Sequence, residues 1–422
     1  MLSFIKQILK FDPVINNYAW SSMTLNRVGN FELFVPKGRA GLFIRLFLYI
    51  YKGIRSVSDY KFFSGYEISN ENNSKLLFYY GSLNQFKALN PIVSKVRGMT
   101  ISENRCADFK LQYFNCFLFS FLFLPITVLK LISVNQYVFN SFRFNLDGYL
   151  MSIGYYVEWL RVLNKLSPRA VIVSNDHNPS NRALISACKS LGIKTCFIQH
   201  APAVCGFPAL DYNLALLEGK HAIACYDVAP ECNVKFVGSY ISSHVNNNLS
   251  EADNVLFSTG LVSNINESSL VIKNILELNK RIILRPHPAD PRLELWKQIS
   301  NNHNISFSDP KLESPITALQ SCNVVIGAMS GLLLESAVRS KAVYCFNGQN
   351  TVPDWYGLIE NKVCGTLSLD NLKSLANIFD FENLVIHSAQ CFKSASYYYE
   401  NIGVGQDEYL NQVHNAIHEC LL

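Results

Sequence analysis

The chain has 422 residues, of which 49% are apolar and 16% charged, and a net charge of +5. That length is too great for one ordinary core and predicts two domains, while the modest charge does not call for a nucleic-acid partner. The twelve cysteines are scattered without a Cys-x-x-Cys pair, which points away from disulfides and a zinc site and toward reduced, buried thiols in a cytosolic setting. The first twenty residues lack an apolar core with a small-residue cleavage site, so no secretory signal is expected.

From residue 1 to 61 there are nine Lys/Arg against three Asp/Glu, interleaved with aromatic and aliphatic residues. This suits an anionic membrane surface, and equally a solvated basic face. Gly41 to Arg55 is an apolar helix candidate with basic residues at both ends. Lys75 to Ser82 reads as a first buried strand ending in a glycine turn. Tyr113 to Val134 is the most hydrophobic stretch, approaching the ~20 apolar residues of a spanning helix. Pro125 and Lys130 interrupt it, which favours a buried or membrane-leaning helix over a spanning one.

A regular α/β pattern follows. Strands are expected at Arg169–Ser174, Lys194–Gln199, Tyr212–Leu217 and His221–Cys225, with a helix at Asn181–Leu191. Short apolar strands alternating with helices are the mark of a parallel, doubly wound sheet. The polar run from Ser242 to Asp253 reads as a linker, and a second α/β series starts at Asn254. The expected division is therefore residues 1–240, a linker at 241–253, a second domain at 254–400 and a helix at 401–422. Two Rossmann-like doubly wound domains facing a cleft are expected, with the final helix crossing back.

Chemistry concentrates in the turns that follow strands, where open α/β sheets bind ligands. In the second series, Arg285-Pro-His-Pro288 holds His287 in a rigid turn between two prolines, set to bind a phosphate oxygen. Gly327-Ala-Met-Ser-Gly331 places Ser330 and Gly331 at a helix N-terminus. Glu335 lies one turn further on, either receiving ribose hydroxyls or facing solvent. Ser258-Thr259-Gly260 is a third polar turn on the same edge.

In the first series, Asn175-Asp-His-Asn-Pro-Ser-Asn-Arg182 gathers Asn175, Asp176, His177 and Arg182 after a strand. Asp176 is the leading general base and His177 its competitor. An Asx-type turn capping the helix through Asn178 or Ser180 is the structural alternative. Gln199 and His200 end the next strand, and Glu218 ends a later one as a further acidic candidate.

With these turns in hand, the chain resembles two-domain GT-B glycosyltransferases. It resembles more narrowly the bacterial enzymes that move sialic acid or Kdo from a CMP donor into capsule, lipooligosaccharide or O-antigen. Their His-Pro and Ser-containing motifs match His287-Pro288 and Ser330-Gly331, and their acidic base corresponds to Asp176. Asn175–Arg182 and Phe197–Pro202 also look like segments of capsule-synthesis transferases, and the resemblance covers roughly residues 169–350. The chain departs from it in carrying Ser330-Gly331 where sialyltransferases often have paired Ser/Thr, and in lacking an Asp/Glu-Asp-Gly motif.

The resemblance implies direct inversion without a metal or a separate cofactor. The implied substrates are a nucleotide-sugar donor and a glycan or lipid-linked acceptor, handled in the cytoplasm at the inner-membrane surface. Two enzymes of related fold remain as alternatives, a CDP-polyol phosphotransferase of the teichoic-acid type and a UDP-GlcNAc 2-epimerase-like enzyme. A non-catalytic membrane scaffold is the alternative from another class.

Overall fold

The computed structural model describes residues 2–17, 39–58, 76–103, 107–240, 254–261, 263–348 and 353–422. They form two compact units. The first comprises residues 1–217, 222–237 and 410–422, and the second residues 218–221 and 238–409. The linker expected at 241–253 lies outside the described residues.

In chain order the first unit contains α1 (Leu2–Lys10), α2 (Arg39–Ser58), β1 (Leu76–Tyr80), α3 (Leu83–Val96), β2 (Met99–Ser102) and β3 (Phe109–Lys110). There follow α4 (Tyr113–Leu122), α5 (Leu124–Ile132), α6 (Gln136–Leu166), β4 (Ala170–Val173), α7 (Pro179–Leu191), β5 (Lys194–Ile198) and β6 (Leu214–Leu217). The segment α8 (Lys220–Cys225), which belongs to this unit from Ala222 onward, and β7 (Asn233–Phe236) complete the series. Among the described residues the seven strands form a parallel sheet in the order β3-β2-β1-β4-β5-β6-β7. The strand order reverses between β1 and β4, so the topological switch point lies there. β1, β4 and β6 are buried along their whole length, as expected of a parallel sheet covered on both faces.

One expected strand is a helix. His221–Cys225 lies within α8. An apolar run this short does not separate the two by periodicity. A Cβ at Gly219 would run into the backbone of Tyr398 and Tyr399, so only glycine lets the chain turn there. The His221 N–H then donates to the Tyr397 carbonyl at 2.9 Å.

The hydrophobic stretch from Tyr113 is two helices, α4 and α5, bent by 65° at Phe123. Among the described residues no single helix is long and apolar enough to cross a membrane. Cys116, Ser120, Thr127 and Leu131 turn inward, and the pair packs on α6. In α6, Asn135 caps the start by accepting the Val138 N–H at 3.0 Å, and the backbone leaves helical geometry at Asn145. Trp159 of the same helix is wholly buried and donates to the Ser180 carbonyl at 3.2 Å, fixing α7 to α6.

The second unit runs through β8 (Asn254–Ser258), α9 (Ile265–Glu277), β9 (Arg281–Arg285), α10 (Leu293–Asn302), β10 (Ser306–Phe307) and α11 (Pro315–Gln320). It continues with β11 (Val324–Gly327), α12 (Gly331–Val338), β12 (Ala342–Phe346), β13 (Gly365–Leu367), α13 (Leu375–Ile378) and α14 (Phe381–Ala395). Among the described residues its six strands form a parallel sheet in the order β10-β9-β8-β11-β12-β13, and the strand order again reverses beside the first strand. The last helix, α15 (Gln406–Leu421), belongs to the first unit from Leu410 onward. Arg169 Nη2 donates to the Leu422 carbonyl at 2.6 Å, and Lys235 Nζ meets Glu419 Oε2 at 2.6 Å.

Candidate functional site

Register brings the three polar turns of the second unit together. Ser258 pairs with Arg285 on one side and with Gly327 on the other, so β9, β8 and β11 end side by side. The hydroxyls of Ser258 and Thr259 are buried there without a hydrogen-bond partner. A buried hydroxyl left unpaired costs free energy unless a ligand or water completes it. Ser330 stands at the N-cap of α12 in extended geometry, and its side chain does not cap the helix. A Cβ on Gly331 would meet nothing within 4 Å, so the space beside the start of the helix is open.

His287 is half-buried, and its Nδ1 accepts the Ala289 N–H at 3.1 Å. That bond puts the ring proton on Nε2 and leaves an N–H free to donate. Burial holds its pKa below the ordinary imidazole value, against a smaller opposing pull from Asp290, so the ring is neutral at neutral pH. Pro288, next in the turn, is exposed.

Arg285 is engaged within the protein. Its Nη1 donates to Ser308 Oγ at 2.6 Å and its Nη2 to the Glu313 carbonyl at 2.9 Å. The side chain is buried under the edge, where it ties β9 to the loop after β10. Glu335 is also not a solvent-facing glutamate. Burial raises its pKa, opposed by Arg339 and Arg285. Glu218, which clusters with this unit, is 3% exposed, and its pKa is pushed up to about 8 by burial and by the charge of Glu335, with Ser239 opposing.

In the first unit, the turn after β4 is an Asx turn made by Asn175, whose Oδ1 accepts the N–H of His177 at 3.2 Å and of Asn178 at 2.8 Å. The expected cap through Asn178 is absent, since its side chain makes no capping bond. The Asn175 turn points two neighbours at one another. His177 Nδ1 lies 2.7 Å from Asp176 Oδ1, and Tyr226 donates its hydroxyl to Asp176 Oδ2 at 2.7 Å.

Asp176 is 3% exposed with both oxygens engaged, whereas the His177 side chain is 18% exposed. An Nδ1–H held by the carboxylate puts the ring's lone pair on Nε2, which lies 3.5 Å from Asn175 Nδ2. The Phe207 ring stacks on the imidazole with centroids 5.2 Å apart, limiting its rotation. His200 joins this group. Burial lowers its pKa, while Asp176 and the Ser174 backbone pull it up.

Two other expected members stand apart. Gln199 folds its Nε2 back onto the Ala201 carbonyl at 2.9 Å. Arg182 lines a separate cavity of about 560 Å³ with Phe11, Ile15 and Tyr156, none of which belongs to the 175–178 turn. Tyr226 and Phe207 were not legible as site residues, because neither belongs to a motif and both reach the dyad across long stretches of sequence.

No family model matches the chain, and no curated protein matches it. Solved structures do. A UDP-N-acetylglucosamine 2-epimerase superposes with a TM-score of 0.53 at 10% identity, covering 82% of this chain and 96% of its own. The UDP-GlcNAc 2-epimerase of Neisseria meningitidis bound to UDP-GlcNAc gives 0.52 at 9% identity, covering 82% and 99%. The UDP complex of MnaA from S. aureus gives 0.50 at 11% identity, covering 83% and 98%. At such identities the likeness concerns the fold alone, and the fold is the GT-B type, two Rossmann-like doubly wound units in one chain.

Proposed function

We propose that the chain is an inverting glycosyltransferase that takes an acidic sugar, sialic acid-like or Kdo, from a CMP donor. The observation that carries this reading is the Asp176–His177 pair, a proton acceptor already oriented by a buried carboxylate. The Nε2 of His177 takes the proton from the acceptor hydroxyl, whose oxygen attacks the anomeric carbon. The bond from that carbon to the phosphate oxygen breaks, and CMP leaves with the electron pair. The Nε2–H of His287 and the N–H groups at Gly331 receive the charge that develops on the phosphate. Asp176 therefore acts through His177, and Ser258 and Thr259 complete the phosphate contacts. The neutral His287 and the helix N-terminus supply the stabilisation that a divalent ion gives elsewhere, so the reaction proceeds in excess chelator.

A second reading, UDP-GlcNAc 2-epimerase-like chemistry, is favoured by the names of the solved structures that share the fold. Incubating the protein with CMP-sialic acid, CMP-Kdo, CDP-glycerol and UDP-GlcNAc, and assaying free nucleotide, distinguishes them. CMP released from either CMP-sugar, and lost in His177→Ala and His287→Ala, is the expected result. Release from CDP-glycerol alone, or release of UDP, overturns the acidic-sugar donor.

The acceptor is proposed to be presented at a membrane surface. Phe43, Phe47, Ile50 and Ile54 share one face of α2 and are 70%, 65%, 45% and 65% exposed. Leu129 and Ile132 of α5 are 70% and 75% exposed. α2 carries four basic residues, of which Arg45 and Lys52 pair with Asp147, and no acidic one, and α4 and α5 add only Lys130, which donates to the Phe11 carbonyl. An apolar face set among cations suits an anionic bilayer better than a second copy of itself. Flotation with phosphatidylglycerol vesicles, lost in a Phe47→Ser/Ile54→Ser variant and absent with phosphatidylcholine, is the expected outcome.

A further inference from the structure

Away from the His177 ring, the switch point of the first sheet opens into a cavity of about 270 Å³. Its floor is a hydrogen-bonded set drawn from three elements. Tyr79, from β1, donates its hydroxyl to Glu103 Oε1 at 2.7 Å and lies 2.8 Å from Ser180 Oγ at the start of α7. Burial raises the pKa of Glu103, more than Tyr79, Ser180 and Lys52 lower it, so the group holds its proton more readily than a free glutamate. Its carboxyl oxygens accept, as a sugar hydroxyl requires of its partner.

Asn181 also lines the cavity and is 1% exposed. Its Nδ2 donates to the Asn175 carbonyl at 3.0 Å, while its Oδ1 is buried without a partner. Such an orphaned acceptor is expected where a ligand hydroxyl completes the bond. Tyr113 and Tyr155 meet edge to face on the wall with centroids 6.1 Å apart.

The cations present are already committed. Arg45 Nη1 lies 3.5 Å and Lys52 Nζ 3.0 Å from the carboxylate of Asp147. A cavity whose charges are paired, and whose volume falls below the ~300–1,000 Å³ of typical ligand pockets, does not suit a nucleotide.

The geometry points to a monosaccharide site, in which an uncharged pyranose sets its hydroxyls against Glu103 and Asn181 and a ring face against the tyrosine wall. As the seat of the acceptor's terminal sugar it rests on the transferase reading. As a sugar site it does not.

The test is a titration of the full chain, followed by ligand-observed NMR, with methyl β-galactopyranoside, N-acetylglucosamine, free sialic acid and CMP. The neutral sugars are expected to bind the native protein in the millimolar range and free sialic acid more weakly. Glu103→Leu is expected to lose about tenfold in sugar affinity, the scale of a polar contact left unpaired, and Glu103→Gln to stay within about threefold of native. Ser180→Ala provides a second variant should Glu103→Leu melt early. The site is refuted if no neutral sugar binds, if affinity survives Glu103→Leu, if the Gln and Leu variants lose equally, or if CMP displaces the sugar. Failure of donor turnover alone removes the acceptor role and leaves the sugar binding standing.

Discussion

At the edge of the first sheet the carboxylate of Asp176 is paired twice, holding His177 on one oxygen and Tyr226 on the other. At the edge of the second, the hydroxyls of Ser258 and Thr259 are buried without partners and Gly331 faces open space. Both edges arise from the same topology, a parallel sheet whose strand order reverses. A proton acceptor must be oriented before substrate arrives, so its partners are built into the protein. A phosphate site keeps its donors unpaired because the ligand brings the acceptors. The contrast separates a group that performs chemistry from a surface that holds charge.

Removing the oriented acceptor tests the contrast most severely. His177→Ala is expected to lower kcat about 10³-fold with little change in donor KM, and Asp176→Asn to lower it by nearly as much. The check is steady-state CMP release, with kcat and donor KM measured separately. A loss confined to KM would move His177 from chemistry to binding.

On the other edge, His287→Ala should cost about 10²-fold in kcat/KM, and His287→Gln, which keeps an N–H donor, should recover part of it. Equal activities of the Ala and Gln variants would show that the Nε2–H does not bear on the leaving phosphate.

Glu218 offers a smaller effect, on stability. Its folded pKa of about 8 stands above the ordinary value of 4.5, so the folded state keeps a proton that the unfolded chain has lost. Stability should therefore fall as pH rises from 4.5 toward 8 and level off beyond. Denaturant titrations at pH 5 and pH 9 should show this loss in the native protein and a flatter profile in Glu218→Gln.

The smallest effect belongs to Ser258→Ala. Deleting a buried hydroxyl without a partner should leave the melting temperature unchanged or slightly raised, while CMP affinity falls about threefold. A clear loss of stability would mean that the hydroxyl is paired in solution.

The sequence made the edges legible more readily than their workings. Pro286 and Pro288 announce a rigid turn, and the Gly327–Gly331 run announces a helix start, because both act through local backbone geometry. The partners of Arg285 are not announced beside it, because Ser308 and Glu313, which hold it, lie in another loop. Nothing beside Asp176 in the chain announces Tyr226, and nothing beside Glu103 announces Tyr79 or Ser180. Their contacts exist only once the sheet has placed distant strands together. His221–Cys225 failed for a local reason, since five apolar-leaning residues carry too little periodicity to choose between strand and helix.

The return of α15 bears on how the protein is made. Residues 410–422 belong to the first unit, yet all of residues 238–409 emerge from the ribosome before them. The usual order, in which an N-terminal domain is finished while the next is being translated, cannot hold here. The first sheet waits with the surface around Arg169, Lys194 and Lys235 uncovered until the second unit has been synthesised. A stall in translation of the second unit would prolong that exposure.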